Sequence, residues 1–324
     1  MRGTEATNRK RAMLATAMGP AIAEALADPL VIEVMVNPNG ALRLDRLGEG
    51  CIDTGVRLDE ARVERIIRLV ASHVRVDANS NRPIVSAELP AHGTGAGERF
   101  EGLLPPVSSG PCFAIRKPAA KLYSLADYVS DGIMTAETAR TLSLAVVDRR
   151  NILVAGGTSS GKTTLANALL AELAARGERV ILIEDTREFQ CAASDTVALK
   201  TRPGVVSMAD LVRSTLRLRP DRIIVGEVRG AEALDMLKAW NTGHPGGIAT
   251  VHANGAIAAL YRLEQLVQEA IAIVPKRLIA EAIDLIVFIE GRGTARRIGS
   301  IAAVEGLDCA GDYSVRLLVA EPDA

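Results

Sequence analysis

GGTSSGKT (156–163) fits the pattern G-x-x-x-x-G-K-[ST]. The apolar run NILVAG (151–156) precedes it, and the helix-forming run KTTLANALLAELAARG (162–177) follows. Strand, glycine-rich turn and helix in that order form a loop whose backbone N–H groups face a phosphate. The helix N-terminus adds favourable partial charge. On this reading Gly156, Gly157, Thr158, Ser159, Ser160, Gly161, Lys162, Thr163 and Thr164 line ATP. Lys162 reaches the β- and γ-phosphates, and Thr163 ligates Mg²⁺.

On either side of the loop, strands and helices alternate from Ile133 onward. MTAETARTLSLAVVD (134–148) reads as a helix before the loop strand. After the loop helix come strand RVILIED (179–185), helix SMADLVRSTLRLR (207–219), strand DRIIVGE (221–227), helix AEALDMLKAWNTG (231–243) and strand GIATVHA (247–253). This is the pattern of a doubly wound α/β unit with a mainly parallel sheet. Such sheets bind ligands beyond the carboxyl ends of their strands.

Two of those strands end in acids. Glu184 and Asp185, with Glu188 nearby, close the first, and Glu227 closes the second. ATP hydrolysis needs a carboxylate near the metal and a group that orients the attacking water. Gly226 stands where such ATPases usually carry an Asp. Glu184 or Asp185 is therefore expected to share the work with Glu227, and the division among Glu184, Glu188 and Glu227 stays open. Thr163, Asp185 and Glu227 are the candidate metal ligands. His252 ends GIATVHA. By analogy with P-loop ATPases this strand lies between the loop strand and the strand of Glu227. His252 would then sense the nucleotide between Lys162 and Glu227, while His244 supports a turn. No Cys or third His shares the spacing of a zinc site.

The part before Ile133 is α+β. LVIEVMV (30–36) and ALRLDRL (41–47) read as strands joined by the turn NPNG. LDEARVERIIRLVASHV (58–74) places Val63, Ile66, Ile67, Val70 and Val74 on one helical face. IVSAEL, ERFEGLLP and PCFAIRKP read as short strands. The expected division is an α+β domain over 1–116, a linker over 117–132 and an ATPase domain over 133–324. MRGTEATNRKR at the start reads as a frayed, solvated tail. A net charge of −1 and 3% aromatic residues give no basic field and few stacking platforms. Sequence-specific nucleic-acid binding is therefore not expected. The four scattered cysteines fit reduced thiols in a cytoplasm. No apolar run reaches the roughly 18 residues of a membrane span.

GGTSSGKT, IEDTRE (183–188), RPDRIIVGEVRG (219–230) and GHPGGIATVHAN (243–254) follow one another in the chain. Together they resemble the Walker A, Asp box, Walker B and His box of the type II/IV secretion traffic ATPase superfamily. The last two stretches look especially like its TrbB-type conjugal-transfer members. The resemblance runs from about Leu30 to Glu290. It implies a RecA-like P-loop ATPase core and a homo-hexamer, peripheral on the cytoplasmic face of the inner membrane. That ring would act with inner-membrane components of a conjugation or secretion apparatus, powering pore or pilus assembly or substrate transfer. It also implies that Arg99 and Arg116 clamp the nucleotide phosphates, a task suited to paired guanidinium bonds. Two other readings compete. One is a nucleic-acid-translocating motor of helicase or packaging type, and the other is a regulatory nucleotide-binding subunit without turnover.

Overall fold

The computed structural model describes residues 2–90, 97–118 and 122–320, and for residues 2–11, Thr294 and Ala320 the backbone alone. The chain divides into two compact units, Met1–Ala120 and Lys121–Ala324.

The first unit contains α1 (Arg2–Ala27), β1 (Val31–Val36), β2 (Ala41–Arg46), β3 (Gly50–Arg57), α2 (Glu60–Val74), β4 (Ile84–Glu88), β5 (Arg99–Leu103) and β6 (Cys112–Arg116). Its strands form one antiparallel sheet in the order β3-β2-β1-β6-β5-β4. Residues 2–11, expected as a frayed tail, belong to α1. This helix breaks at Gly19–Pro20, where Gly19 takes φ 66°. Arg62 of α2 closes the break by donating to the carbonyls of Ala17 and Met18, which the kink leaves without helical partners. Asp59 caps α2 by accepting from Arg62 N. Val63, Ile66, Ile67 and Val70 are buried as their spacing predicts, whereas Val74 is half-buried. The helix ends there, because Arg75 turns left-handed at φ 61°.

The second unit begins with α3 (Leu125–Ser130) and α4 (Ala136–Val147). Then come β7 (Ile152–Gly156), α5 (Lys162–Ala171), β8 (Arg179–Glu184), β9 (Asp195–Lys200), α6 (Met208–Thr215), β10 (Arg222–Glu227), α7 (Glu232–Asn241) and β11 (Ile248–His252). It closes with α8 (Ala256–Gln268), α9 (Lys276–Ala282), β12 (Leu285–Glu290), β13 (Arg297–Leu307) and β14 (Tyr313–Ala320). The stretch 117–132, read as a linker, thus contains a helix. Ser124 and Asp127 form a capping box for α3, and Leu125 and Tyr128 enter the core of this unit.

The sheet order is β14-β13-β12-β7-β11-β10-β8-β9. The strands from β12 through β9 are parallel, and β13 and β14 are antiparallel additions. The fold is the mainly parallel α/β core that the alternation predicts, the RecA-like core that the resemblance implies. Side chains of β7 alternate between two cores: Leu153 and Ala155 join one, Ile152 and Val154 the other. That alternation is why the strand reads as uniformly apolar. Each fully buried Val, Leu or Ile contributes about 1.5–3 kcal/mol. The sheet centre is therefore rigid, and the loops at its carboxyl edge are carried on it.

β11 lies between β7 and β10, with His252 opposite Gly156 and Thr250 opposite Glu227. Its entry is fixed by the glycines of GHPGG. Gly246 N and Gly247 N both donate to Asn151 Oδ1. A Cβ on Gly247 would lie 2.0 Å from the Trp240 ring, so no side chain fits there.

Candidate active site

Lys162, the first residue of α5, is buried. Its Nζ donates to Gly156 O (3.1 Å) and Gly157 O (2.9 Å) and lies 3.3 Å from His252 Nε2. The loop reaches this shape through left-handed residues, Ser159 at φ 62° and Gly161 at φ 98°. Gly156 is glycine because a Cβ there would lie 2.3 Å from Ile289 O. Gly161, the N-cap of α5, offers no side-chain acceptor to the first helical N–H groups. Those donors face the loop and suit an anion. Thr158 and Ser159 are exposed, Ser160 is buried, and Thr163 and Thr164 are half-buried.

Glu227 comes from the end of β10. Its Oε2 accepts from Arg229, and its Oε1 lies 3.0 Å from His252 Nε2. An ammonium has no acceptor, so a bond from Lys162 uses the Nε2 lone pair and puts the ring proton on Nδ1. Glu227 Oε1 is buried and accepts no hydrogen bond from the described residues. Burial and the Lys162 charge hold His252 below its ordinary pKa, against the pull of Glu227. Burial pulls Glu227 upward, but the Arg229 bond and charge, with His252 and Lys162, hold it below the usual carboxylate range. At neutral pH Glu227 is therefore a carboxylate and His252 a neutral imidazole.

Glu184 at the end of β8 plays a different part. It is buried, and its Oε1 accepts from Glu188 N (2.9 Å) and Phe189 N (2.8 Å). Asn167 of α5 ties the same turn down through Glu188 O and Gln190 N. A Cβ on Gly226 would lie 3.4 Å from Glu184 Cγ, so Glu184 occupies the space beside the missing Asp. Desolvation pushes its carboxyl up to about 7, despite the two N–H bonds. Asp185 is exposed and accepts from Thr201 Oγ1 (2.7 Å). Glu188 is half-buried. The charges of Asp185 and Glu188 both reach Arg229, so all these acids share one sheet edge. His244 stays apart at the end of α7, its Nδ1 3.3 Å from Ala239 O.

The raised pKa of Glu184 has a stability consequence. The folded form holds its proton up to about pH 7, and the unfolded chain releases it near 4.5. Stability from this group is complete below 4.5 and is lost as pH rises through 7. Glu184→Gln keeps an acceptor for the two N–H groups and removes the titration. Thermal melting from pH 4 to 8 should show the variant gaining on the wild type between those values. A constant difference would contradict the assignment.

Arg99 and Arg116 lie in the first unit, directly opposite each other on β5 and β6. The same row continues to Glu88 on one side and Glu33 on the other. Like charges side by side are unfavourable unless neighbours or a ligand balance them, and here a glutamate flanks each.

Sequence reasoning passed over Arg229 and Asn167. Arg229 had a signal, since it lies two residues after Glu227 in an exposed, charged stretch. Asn167 had none, because a polar residue in a helix gives no sign of which turn it holds.

Residues 19–290 match the family described as type II/IV secretion system proteins. The conjugal transfer protein TrbB of Rhizobium radiobacter is 49% identical over 295 residues, 90% of each chain. The type IV secretion system protein PtlH of Bordetella pertussis is 34% identical over 317 residues, covering 86% of this chain and 91% of its own. Among solved structures, the pilus retraction motor PilT with bound ADP superposes with a TM-score of 0.62 at 18% identity. That superposition covers 93% of this chain and 82% of PilT, a likeness of fold.

Proposed function

The chain belongs to the type II/IV secretion system protein family, and we propose that Lys162, His252 and Glu227 form its ATP-hydrolysing centre. It is a secretion ATPase of the conjugal-transfer and type IV group, converting ATP and water to ADP and phosphate. The observation that carries the site is the meeting of three neighbouring strands. β7, β11 and β10 are neighbours, and at their ends His252 Nε2 lies 3.3 Å from Lys162 Nζ and 3.0 Å from Glu227 Oε1.

The phosphates of ATP take the donors of the loop and the α5 N-terminus, and Lys162 exchanges carbonyls for phosphate oxygens. Glu227 Oε1, a buried acceptor without a donor, receives a hydrogen of the attacking water and orients it towards the γ-phosphorus. His252 bridges Lys162 and Glu227, so a change at one is felt at the other. Glu184 sets the turn that carries Glu188. Hard oxygen donors fit Mg²⁺: Thr163 at the loop would hold it, with Asp185 and Glu227 as the acids offered at the ends of β8 and β10 on the same sheet edge. A bound Mg²⁺ would neutralise phosphate charge.

We further propose a homo-hexamer at the cytoplasmic face of the inner membrane, working with inner-membrane components of a conjugation or secretion apparatus. Among the described residues no helix is long and apolar enough to cross a membrane, which agrees with peripheral attachment. Within the first unit, the neighbouring Arg99 and Arg116 form a pair suited to binding phosphate. This reading rests on their adjacency in one strand row.

One experiment tests these points together: phosphate release from ATP by the purified chain, with and without single-stranded DNA, for wild type and Arg99→Ala/Arg116→Ala. Turnover independent of DNA is expected, with the double variant losing at least tenfold in kcat/KM. DNA-driven turnover would favour a nucleic-acid motor. An unchanged double variant would remove the clamp.

A further inference from the structure

The γ-phosphate machinery lies on one flank of β7, carried by β11 and β10. The other flank of β7 is β12, whose Ile289 lies opposite Gly156. A nucleotide lying across the loop with its γ-end at Lys162 and Glu227 must point its nucleoside end towards β12. The connection leaving β12 brings two arginines there. Arg292 Nε donates to Thr158 O at 3.1 Å, tying the connection to the crown of the phosphate loop. Arg296 packs on Gly161: from the position of a Cβ on that glycine, Nε is 2.8 Å away, Cζ 2.9 Å and Cδ 3.2 Å. Three successive atoms at nearly equal distance describe a guanidinium lying broadside on the loop.

The backbone makes this placement obligatory. Gly291 takes φ 74°, and a Cβ there would lie 1.9 Å from Ala295 O. Only glycine allows a turn tight enough to return Arg296 to the loop that Arg292 already touches. Within the fold the charge of Arg296 reaches the buried Tyr128, but its hydrogen-bonding capacity is not used up. Its Nε is buried without an acceptor, and among the described residues it forms no ion pair, whereas the adjacent Arg297 pairs with Glu290. Leaving such a donor unmade is unfavourable, so the packing on Gly161 is not explained by structural hydrogen bonding.

We propose that Arg296 is the platform for the base of the nucleotide, with Arg292 as the residue that positions it. One face of the guanidinium rests on Gly161, and the other receives the purine by cation–π stacking. A guanidinium is planar and suited to that task. This inference rests on the ATPase reading above and adds a contact on the opposite end of the same substrate.

The test compares binding of ADP, of ATP and of inorganic tripolyphosphate to the full chain, for wild type, Arg296→Ala and Arg296→Lys. Both variants should lose about tenfold in affinity for ADP and ATP while binding tripolyphosphate as the wild type does. Lysine keeps the charge but not the plane, so its failure to rescue is part of the expectation. Equal losses for nucleotide and tripolyphosphate would overturn the platform in favour of a phosphate contact. Wild-type nucleotide affinity in Arg296→Ala, or full rescue by lysine, would also overturn it. If the unaltered chain bound no nucleotide at all, this inference and the ATPase reading would both fall.

Discussion

Lys162→Ala abolishes ATP hydrolysis, lowering kcat/KM by several powers of ten. The ammonium is buried and held by Gly156 O and Gly157 O, with His252 Nε2 as its third neighbour. Nothing else among the described residues places a positive charge between the loop and Glu227. Stabilisation of charge on a transferring phosphoryl group is the main contribution a protein makes to this reaction. Each factor of ten in rate corresponds to about 1.4 kcal/mol of barrier, and a preorganised buried cation is worth several of these. The variant should fold, because alanine suits a helix N-terminus and removes a buried charge. Phosphate release and thermal melting on the same sample check both statements, and near-normal turnover by a folded variant would refute the role.

Glu227→Gln should lower kcat by about 10²–10⁴ and leave ATP affinity within a few-fold. Glutamine matches glutamate in size and can still accept from Arg229. It cannot take a proton, and its amide can place a donor where Glu227 Oε1 now offers an acceptor. The loss should therefore fall on turnover. The deprotonated state of Glu227 is secured against burial by the Arg229 bond and charge, with Lys162, so the wild-type rate should not require a pH above the ordinary carboxylate range. A parallel fall in affinity and turnover would make Glu227 a binding residue, and an unchanged kcat would remove it from the reaction.

The sequence made the meeting of Lys162, His252 and Glu227 legible, because each lies at or just beyond the carboxyl end of a largely apolar strand. Such strands are buried on both faces at the centre of a parallel sheet, and their order along the chain leads to the convergence of Lys162, Glu227 and His252. Edge elements were hidden. β3 is exposed or half-exposed along its length, and β9 alternates weakly. β3 is held by ladder bonds to β2, and β9 sets only Val197 and Leu199 against the core, so neither carries a periodicity long enough to mark it. α1 was obscured by its Gly19–Pro20 break, and α3 by the turn-rich residues around it. The separate duties of Glu184 and Glu227 were equally unreadable. Both are acids at strand ends, and only the surroundings distinguish a carboxylate capping two N–H groups from one with a free buried oxygen. Arg292 and Arg296 lie in a glycine-rich connection after β12, where spacing carries no information about which loop they meet.

The central claim is that ATP binds with its γ-phosphate among Lys162, His252 and Glu227 on the edge formed by β7, β11 and β10. A crystal structure of Glu227→Gln with ATP and Mg²⁺ tests it most directly. The expected result has Lys162 Nζ moved from the carbonyls of Gly156 and Gly157 to phosphate oxygens, with His252 and the side chain at position 227 beside the γ-phosphate. A triphosphate held elsewhere, or one that leaves Lys162 on its two carbonyls and His252 out of reach of the γ-phosphate, would contradict it.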